Sequence, residues 1–181
     1  MRTSSSGIYI RYCGRKSGLM DLAAMSEEVG RALADGGFTI SCAESCTGGL
    51  LTSTLTDIAG SSSYVMGSVV SYSNDVKTRI LHVAEETLVV YGAVSEETAR
   101  AMAEGVRTLM RTDIGVGITG IAGPDGGSQK KPVGLVYIAV SVPKNTVVEK
   151  NNFFGTRIEN KQAAVQKALA MIREIIRSSS G

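Results

Sequence analysis

The sequence has one histidine, His82, only three cysteines, and no apolar run approaching the length of a bilayer span. Each shortage removes a class of function. Without a long apolar run, no transmembrane helix is expected. Cys13, Cys42 and Cys46 are odd in number and sparse, whereas a secreted disulfide framework uses an even number at denser spacing. A reducing cytoplasm is therefore the expected setting. One C-x3-C pair with a distant third thiol and a lone histidine is poor ligand material for zinc, and no metal is expected. Charge is not in excess either. The 19 basic residues against 17 acidic ones give a net charge of +2, too balanced to favour nucleic acid or an anionic membrane surface.

What remains is the profile of a globular protein: 181 residues, 43% hydrophobic and 20% charged, long enough to bury one core. Residues 1–18 stand apart, with Arg2, Arg11, Arg15, Lys16 and a Ser4-Ser5-Ser6-Gly7 stretch but no acid. No apolar segment of useful length follows, so this is not a secretory signal. It reads as a basic, disordered leader, and residues 19–181 as a single domain.

Within that domain, helical and strand-like patterns alternate. Leu22, Met25, Val29 and Leu33 recur at helical steps up to Gly36-Gly37. Residues 38–43 read as a buried strand, 45–58 as a helix and 59–63 as a loop. A second strand is expected over 65–73, then a short helix over 75–82 capped by Asn74. Ser95 caps a longer helix, with Glu96 and Glu97 in its first turn and Ala99, Met102, Val106, Leu109 and Met110 along one side. Strands follow over 113–121, 133–142 and 146–154, the last with the mixed polarity of an edge. Pro143 to Asn145 is short enough for a hairpin. A final helix over 159–176 turns Val165, Leu169, Ile172 and Ile176 inward. The alternation predicts a three-layer α/β/α sandwich whose mixed sheet is mostly parallel and includes one antiparallel strand.

Ligands in such sheets bind where strands end and helices begin. Three junctions are rich in Gly, Ser, Thr and Asn, namely residues 44–49, 71–77 and 119–128, and they are expected to converge. In the first, Ser45 is either a nucleophile beside free backbone N–H groups or a simple helix cap. In the second, Lys77 is either a base of lowered pKa or a solvated surface lysine. A Ser-His-Asp triad would have to use His82, whose neighbours Leu81 and Val83 suggest partial burial for packing. Cys46 is a rival nucleophile or a small buried thiol. The third junction is a glycine-rich turn or an anion site, and it lacks the Gly-Lys-Ser/Thr ending of a Walker A loop. Lys130 and Lys131 lie just beyond it. Arg157, ahead of the last helix, is a surface arginine or a bidentate phosphate contact.

Five strings resemble the C-terminal domain of the competence/damage-inducible protein CinA, the nicotinamide-nucleotide amidase family. They are Ala43-Glu44-Ser45-Cys46-Thr47-Gly48-Gly49, Ser71-Tyr72-Ser73-Asn74 with Lys77, Tyr91-Gly92-Ala93-Val94-Ser95, Thr119-Gly120-Ile121-Ala122-Gly123-Pro124-Asp125-Gly126-Gly127, and Lys131-Pro132-Val133-Gly134. The resemblance spans about residues 20–177. It implies hydrolysis of the carboxamide of nicotinamide mononucleotide to nicotinate mononucleotide and ammonia, with no metal or organic cofactor. It implies Ser45 as nucleophile and Lys77 as base, with Tyr72 as a further catalytic residue and Arg157 in the same pocket. Arg157 and the 119–127 loop, including Thr119, Gly120 and Gly123, would contact phosphate and ribose. Thr47, Gly48 and Asn74 complete the substrate-binding set, and N–H groups near Ser45 and Thr47 would form the oxyanion hole. Family members often have two glycines where this chain has Gly67-Ser68. Larger members carry an upstream nucleotide-hydrolysing domain outside these motifs, so pyrophosphatase activity is not carried over. The expected partner is a small nucleotide, without nucleic acid or membrane, and apolar helix faces suggest a homo-oligomer. The rival reading is a non-catalytic nucleotide-binding or regulatory module of the same fold.

Overall fold

The computed structural model describes residues 22–179. The basic leader expected at 1–18 lies outside the described residues, as does Cys13. The chain runs α1 (Leu22–Gly36), β1 (Ile40–Glu44), α2 (Leu50–Thr56), a 3-10 turn (Ser61–Ser63), β2 (Val65–Val70), α3 (Asn74–Arg79), α4 (Glu85–Val90), α5 (Glu96–Met110), β3 (Ile114–Gly120), β4 (Leu135–Val142), β5 (Asn145–Asn152) and α6 (Arg157–Ser179).

The sheet order is β2-β1-β3-β4-β5. β1 pairs in parallel with β2 and β3, and β4 is antiparallel to both β3 and β5. β4 alone therefore runs against the other strands, as the expected hairpin requires. The ladders are evenly divided, two parallel and two antiparallel. β5 occupies an edge, in keeping with its mixed polarity.

Alternation of side chains across the strands builds the three layers. Ile40, Cys42, Ile114, Val116, Ile118, Ile138 and Val140 face α1, α2 and α6, whose Val29, Leu33, Leu51, Val165, Leu169 and Ile172 complete the main core. On the other face, Ala43, Ala139, Ala99, Met102, Ala103 and Val106 form two smaller clusters around α5. α5 packs directly on β3 at Gly115 and Gly117, where a Cβ would run into the α5 backbone. Leu109 is 45% exposed rather than inward.

Three local departures from expectation have physical causes. α2 starts at Leu50, not Ser45, because Gly48 and Gly49 have φ of 66° and 92°, a left-handed backbone that cannot open a right-handed helix. Asn74 is the first residue of α3 and not its cap; the Ser73 side chain accepts from the Val76 amide instead. α4 has no expected counterpart, and its short run Glu85–Val90 has no buried residue to give it a periodic signature.

Candidate active site

The three strand-end junctions do converge. Ser45 follows directly on β1, and its amide donates to the Ile118 carbonyl of β3 at 2.9 Å. Strand pairing thus continues one residue past β1 and fixes the backbone that carries the hydroxyl. Ser45 is not a helix cap, since Gly49 occupies that position ahead of α2.

Lys77 reaches the same point from α3. Its side chain is 1% exposed, which rules out a solvated surface lysine. Its Nζ donates to the Ser71 carbonyl at 2.7 Å and to Ser45 Oγ at 3.3 Å. No carboxylate pairs with it among the described residues. Burial disfavours the ammonium and pulls its pKa below the ordinary value of 10.5. The result is an amine held on a serine hydroxyl, its charged form disfavoured by burial.

The rival candidates, Cys46 and His82, are placed differently. Cys46 is buried, and burial pushes its thiol up to about 12, so little of the reactive thiolate exists near neutral pH. His82, expected to be partly buried, is exposed with φ of 56° and lies away from the serine. The chain turns there to bury Leu81 and Val83, which carries the imidazole outward.

The dyad opens into a cavity of about 250 Å³ whose walls include Ser45, Cys46, Tyr72, Asn74, Lys77, Thr119, Gly120, Gly123 and Arg157. Thr119 is held by its hydroxyl, which donates to the Ala93 carbonyl at 2.6 Å. Arg157, the first residue of α6, donates from Nη1 to the Gly123 carbonyl at 2.6 Å and from Nη2 to Tyr72 Oη at 3.1 Å. Tyr72 and Arg157 are both exposed at the cavity mouth. Lys131 is turned elsewhere, its Nζ donating to the Tyr91 carbonyl at 2.8 Å.

Thr47 and Gly48 do not line the cavity. Thr47 is fully buried behind the wall, and Gly48 lies on the outside, facing Lys161. The Ser45 amide, expected to help bind an oxyanion, is committed to Ile118. The amides of Cys46, Thr47 and Gly49 pair with no other residue among those described, and of the three only Cys46 lines the cavity.

Sequence reasoning passed over several groups that shape the site. Glu44 is fully buried, and its carboxylate accepts from the Leu51 amide (3.0 Å) and from the Thr52 amide and hydroxyl (2.9 and 2.7 Å). Asn160 is 1% exposed and ties Gly155 to the Ala122 carbonyl, joining the α6 start to the glycine loop. Val94 and Asp125 are further wall residues. Only the presence of Glu44, Val94 and Asp125 inside the quoted strings could have flagged any of them. No group of three or more His, Cys, Asp or Glu that could hold a metal ion occurs among the described residues. No helix among them is long and apolar enough to cross a membrane.

Comparison with known proteins bears on the same segments. Residues 22–176 match the CinA C-terminal domain. The chain is 49% identical over 153 residues to a CinA-like protein of Endomicrobium trichonymphae, covering 84% of this chain and 36% of the relative. It is 48% identical over 156 residues to a CinA-like protein of Syntrophobacter fumaroxidans, covering 86% and 37%. The chain thus spans little more than a third of these curated relatives. Among solved structures, the competence/damage inducible protein CihA from Agrobacterium tumefaciens superposes with a TM-score of 0.84 at 40% identity, covering 88% of this chain and 98% of that one. A competence-damaged protein (CinA) superfamily member from Klebsiella pneumoniae gives 0.85 at 33% identity, covering 88% and 99%.

Proposed function

The chain belongs to the CinA C-terminal domain family, and from that premise we propose that it is an amidohydrolase converting nicotinamide mononucleotide to nicotinate mononucleotide and ammonia. The observation that carries this reading is Lys77, buried to 1% exposure without a carboxylate partner and 3.3 Å from Ser45 Oγ. A binding module has no use for such a pair. Burying an ammonium costs several kcal/mol, and a nucleotide contact would hold its cation at the surface as Arg157 does.

The proposed reaction runs through an acyl-enzyme on Ser45. Lys77, as the free amine, takes the Ser45 proton while Oγ attacks the carboxamide carbon. The tetrahedral oxyanion meets the Cys46 amide, a main-chain N–H at the cavity wall that pairs with no other residue among those described. As the C–N bond breaks, the Lys77 ammonium returns the proton to the departing nitrogen and ammonia leaves. A water then attacks the acyl-enzyme, giving its proton to Lys77, and the acid is released with Ser45 restored.

The cavity of about 250 Å³ takes the pyridine ring and part of the ribose. The phosphate then lies at the mouth, beside Arg157. Tyr72 Oη accepts from Arg157 at 3.1 Å, which leaves its own proton to donate inward. Thr119, Gly120, Gly123 and Asn74 supply the intervening wall.

The deciding experiment is ammonia release from nicotinamide mononucleotide by purified protein without added metal, beside Ser45→Ala. Release by the parent alone supports the reading. Retained nucleotide binding with no ammonia from either protein would make the chain a binding module instead.

A further inference from the structure

Glu44 stands between the two halves of the dyad. Its carboxylate reaches forward across the Ser45–Gly49 turn to Leu51 and Thr52. Its main-chain carbonyl accepts from the Ser71 amide at 2.8 Å, and the Ser71 carbonyl in turn accepts from Lys77 Nζ at 2.7 Å. One residue therefore sets the turn bearing the nucleophile and the strand end that pins the base. We infer that Glu44 is a positioning residue of the active site, its carboxylate clamping the Ser45–Gly49 turn in the shape that brings Ser45 Oγ to Lys77 Nζ. This rests on the Ser45–Lys77 reading.

The turn needs an external clamp. Gly48 and Gly49 both have left-handed φ, and two adjacent glycines give the segment more backbone freedom than any other pair. Within the turn, one backbone bond closes it, from the Gly48 amide to the Ser45 carbonyl at 3.1 Å. Gly49 precedes α2 without a side chain to cap it, so the unpaired amides of the first helical turn fall to Glu44. Three charge-assisted donors on one buried carboxylate make a stiff link. The same carboxylate adds to burial in raising the Cys46 thiol, against the lowering pull of the thiol's own main-chain N–H, so the adjacent sulfur stays protonated while the serine reacts.

The test is Glu44→Gln. An amide keeps the size but offers one acceptor, and its NH2 then meets the N–H of Leu51 or Thr52. Displacing reacting groups by about 1 Å costs roughly a hundredfold in rate, so kcat for ammonia release should fall by about that factor. Nucleotide affinity, measured calorimetrically in a Ser45→Ala background with and without Glu44→Gln, should stay within about threefold. The pH at which the rate inflects should not move, because Lys77 sets it. A folded Glu44→Gln protein with kcat within about threefold of the parent overturns the inference, as does a parallel fall in kcat and affinity.

If Glu44→Gln does not fold, Thr52→Val removes only the hydroxyl donor and decides the matter. A roughly fivefold loss of kcat at unchanged KM supports the clamp, and parental kcat refutes it. If the parent releases no ammonia, the substrate reading fails separately. The clamp is then read from Ser45 labelling by a fluorophosphonate, in which Lys77 takes the hydroxyl proton, Oγ bonds to phosphorus, and the P–F bond breaks to release fluoride. Slower labelling in Glu44→Gln supports the inference, and equal labelling overturns it.

Discussion

Two polar pairs face the cavity from different depths. Ser45 and Lys77 sit at its floor, 9% and 1% exposed, with 3.3 Å between Oγ and Nζ. Tyr72 and Arg157 meet at the mouth, with Tyr72 65% exposed and 3.1 Å between Oη and Nη2. The contacts are alike in length, but their surroundings differ. At the floor a charge has lost its water, which disfavours the ammonium and suits the lysine to the proposed role of base. At the mouth a cation is solvated and screened, which suits it to the proposed contact with an anion. On the proposed reading, depth divides proton transfer at one pair from anion contact at the other.

Substitutions at the floor should have the largest effects. Ser45→Ala removes the nucleophile and should lower ammonia release by a factor on the order of 10⁴ or more, with an unchanged melting temperature. Lys77→Met should lower it by roughly a thousandfold, yet raise thermal stability. The Ser71 carbonyl would lose its donor, a loss of about 1–3 kcal/mol. A buried ammonium without a carboxylate costs several kcal/mol, so its removal outweighs that loss. A lower melting temperature for Lys77→Met would show that the lysine is a structural pin and not a tuned base. The pH dependence separates these further. Burial lowers the folded-state pKa below 10.5, so the unfolded chain holds the proton more tightly. Stability should therefore rise with pH from the folded pKa up to 10.5, and this rise should vanish in Lys77→Met. In the parent, kcat/KM should climb through the same folded pKa as the base loses its proton.

The floor was more legible in the sequence than the parts that hold it. Ser45 and Lys77 stand at junctions where composition changes from apolar to Gly, Ser and Asn, a local signal that periodicity can find. Ser95 as a cap and the inward stripe of α6 are local in the same sense, and both are as expected. What escaped is non-local or depends on backbone sign. The Glu44 clamp joins residues seven and eight positions apart, and Asn160 reaches back to Ala122. No pattern in either segment announces its partner. Gly48 is expected among the substrate contacts, whereas the positive φ of Gly48 and Gly49 delays the start of α2. His82 was misjudged because its neighbours are buried, while the left-handed backbone at His82 itself sends the ring out.

Changes at the mouth should be smaller and of another kind. Arg157→Ala should raise KM for nicotinamide mononucleotide by roughly tenfold and leave kcat within about threefold, because a solvated cation contributes mainly to binding. Added salt should raise KM of the parent, while KM of Arg157→Ala should respond less, since exposed charges are screened over about 10 Å at 0.1 M salt. Tyr72→Phe should have the least effect. It removes one acceptor of Arg157 but leaves the Gly123 carbonyl to hold the guanidinium, so KM should change by less than about threefold. Any fall in kcat would then isolate the proton that the phenol donates inward. If Tyr72→Phe instead lost as much kcat as Lys77→Met, proton transfer would extend from the floor to the mouth, and depth would no longer divide the two roles.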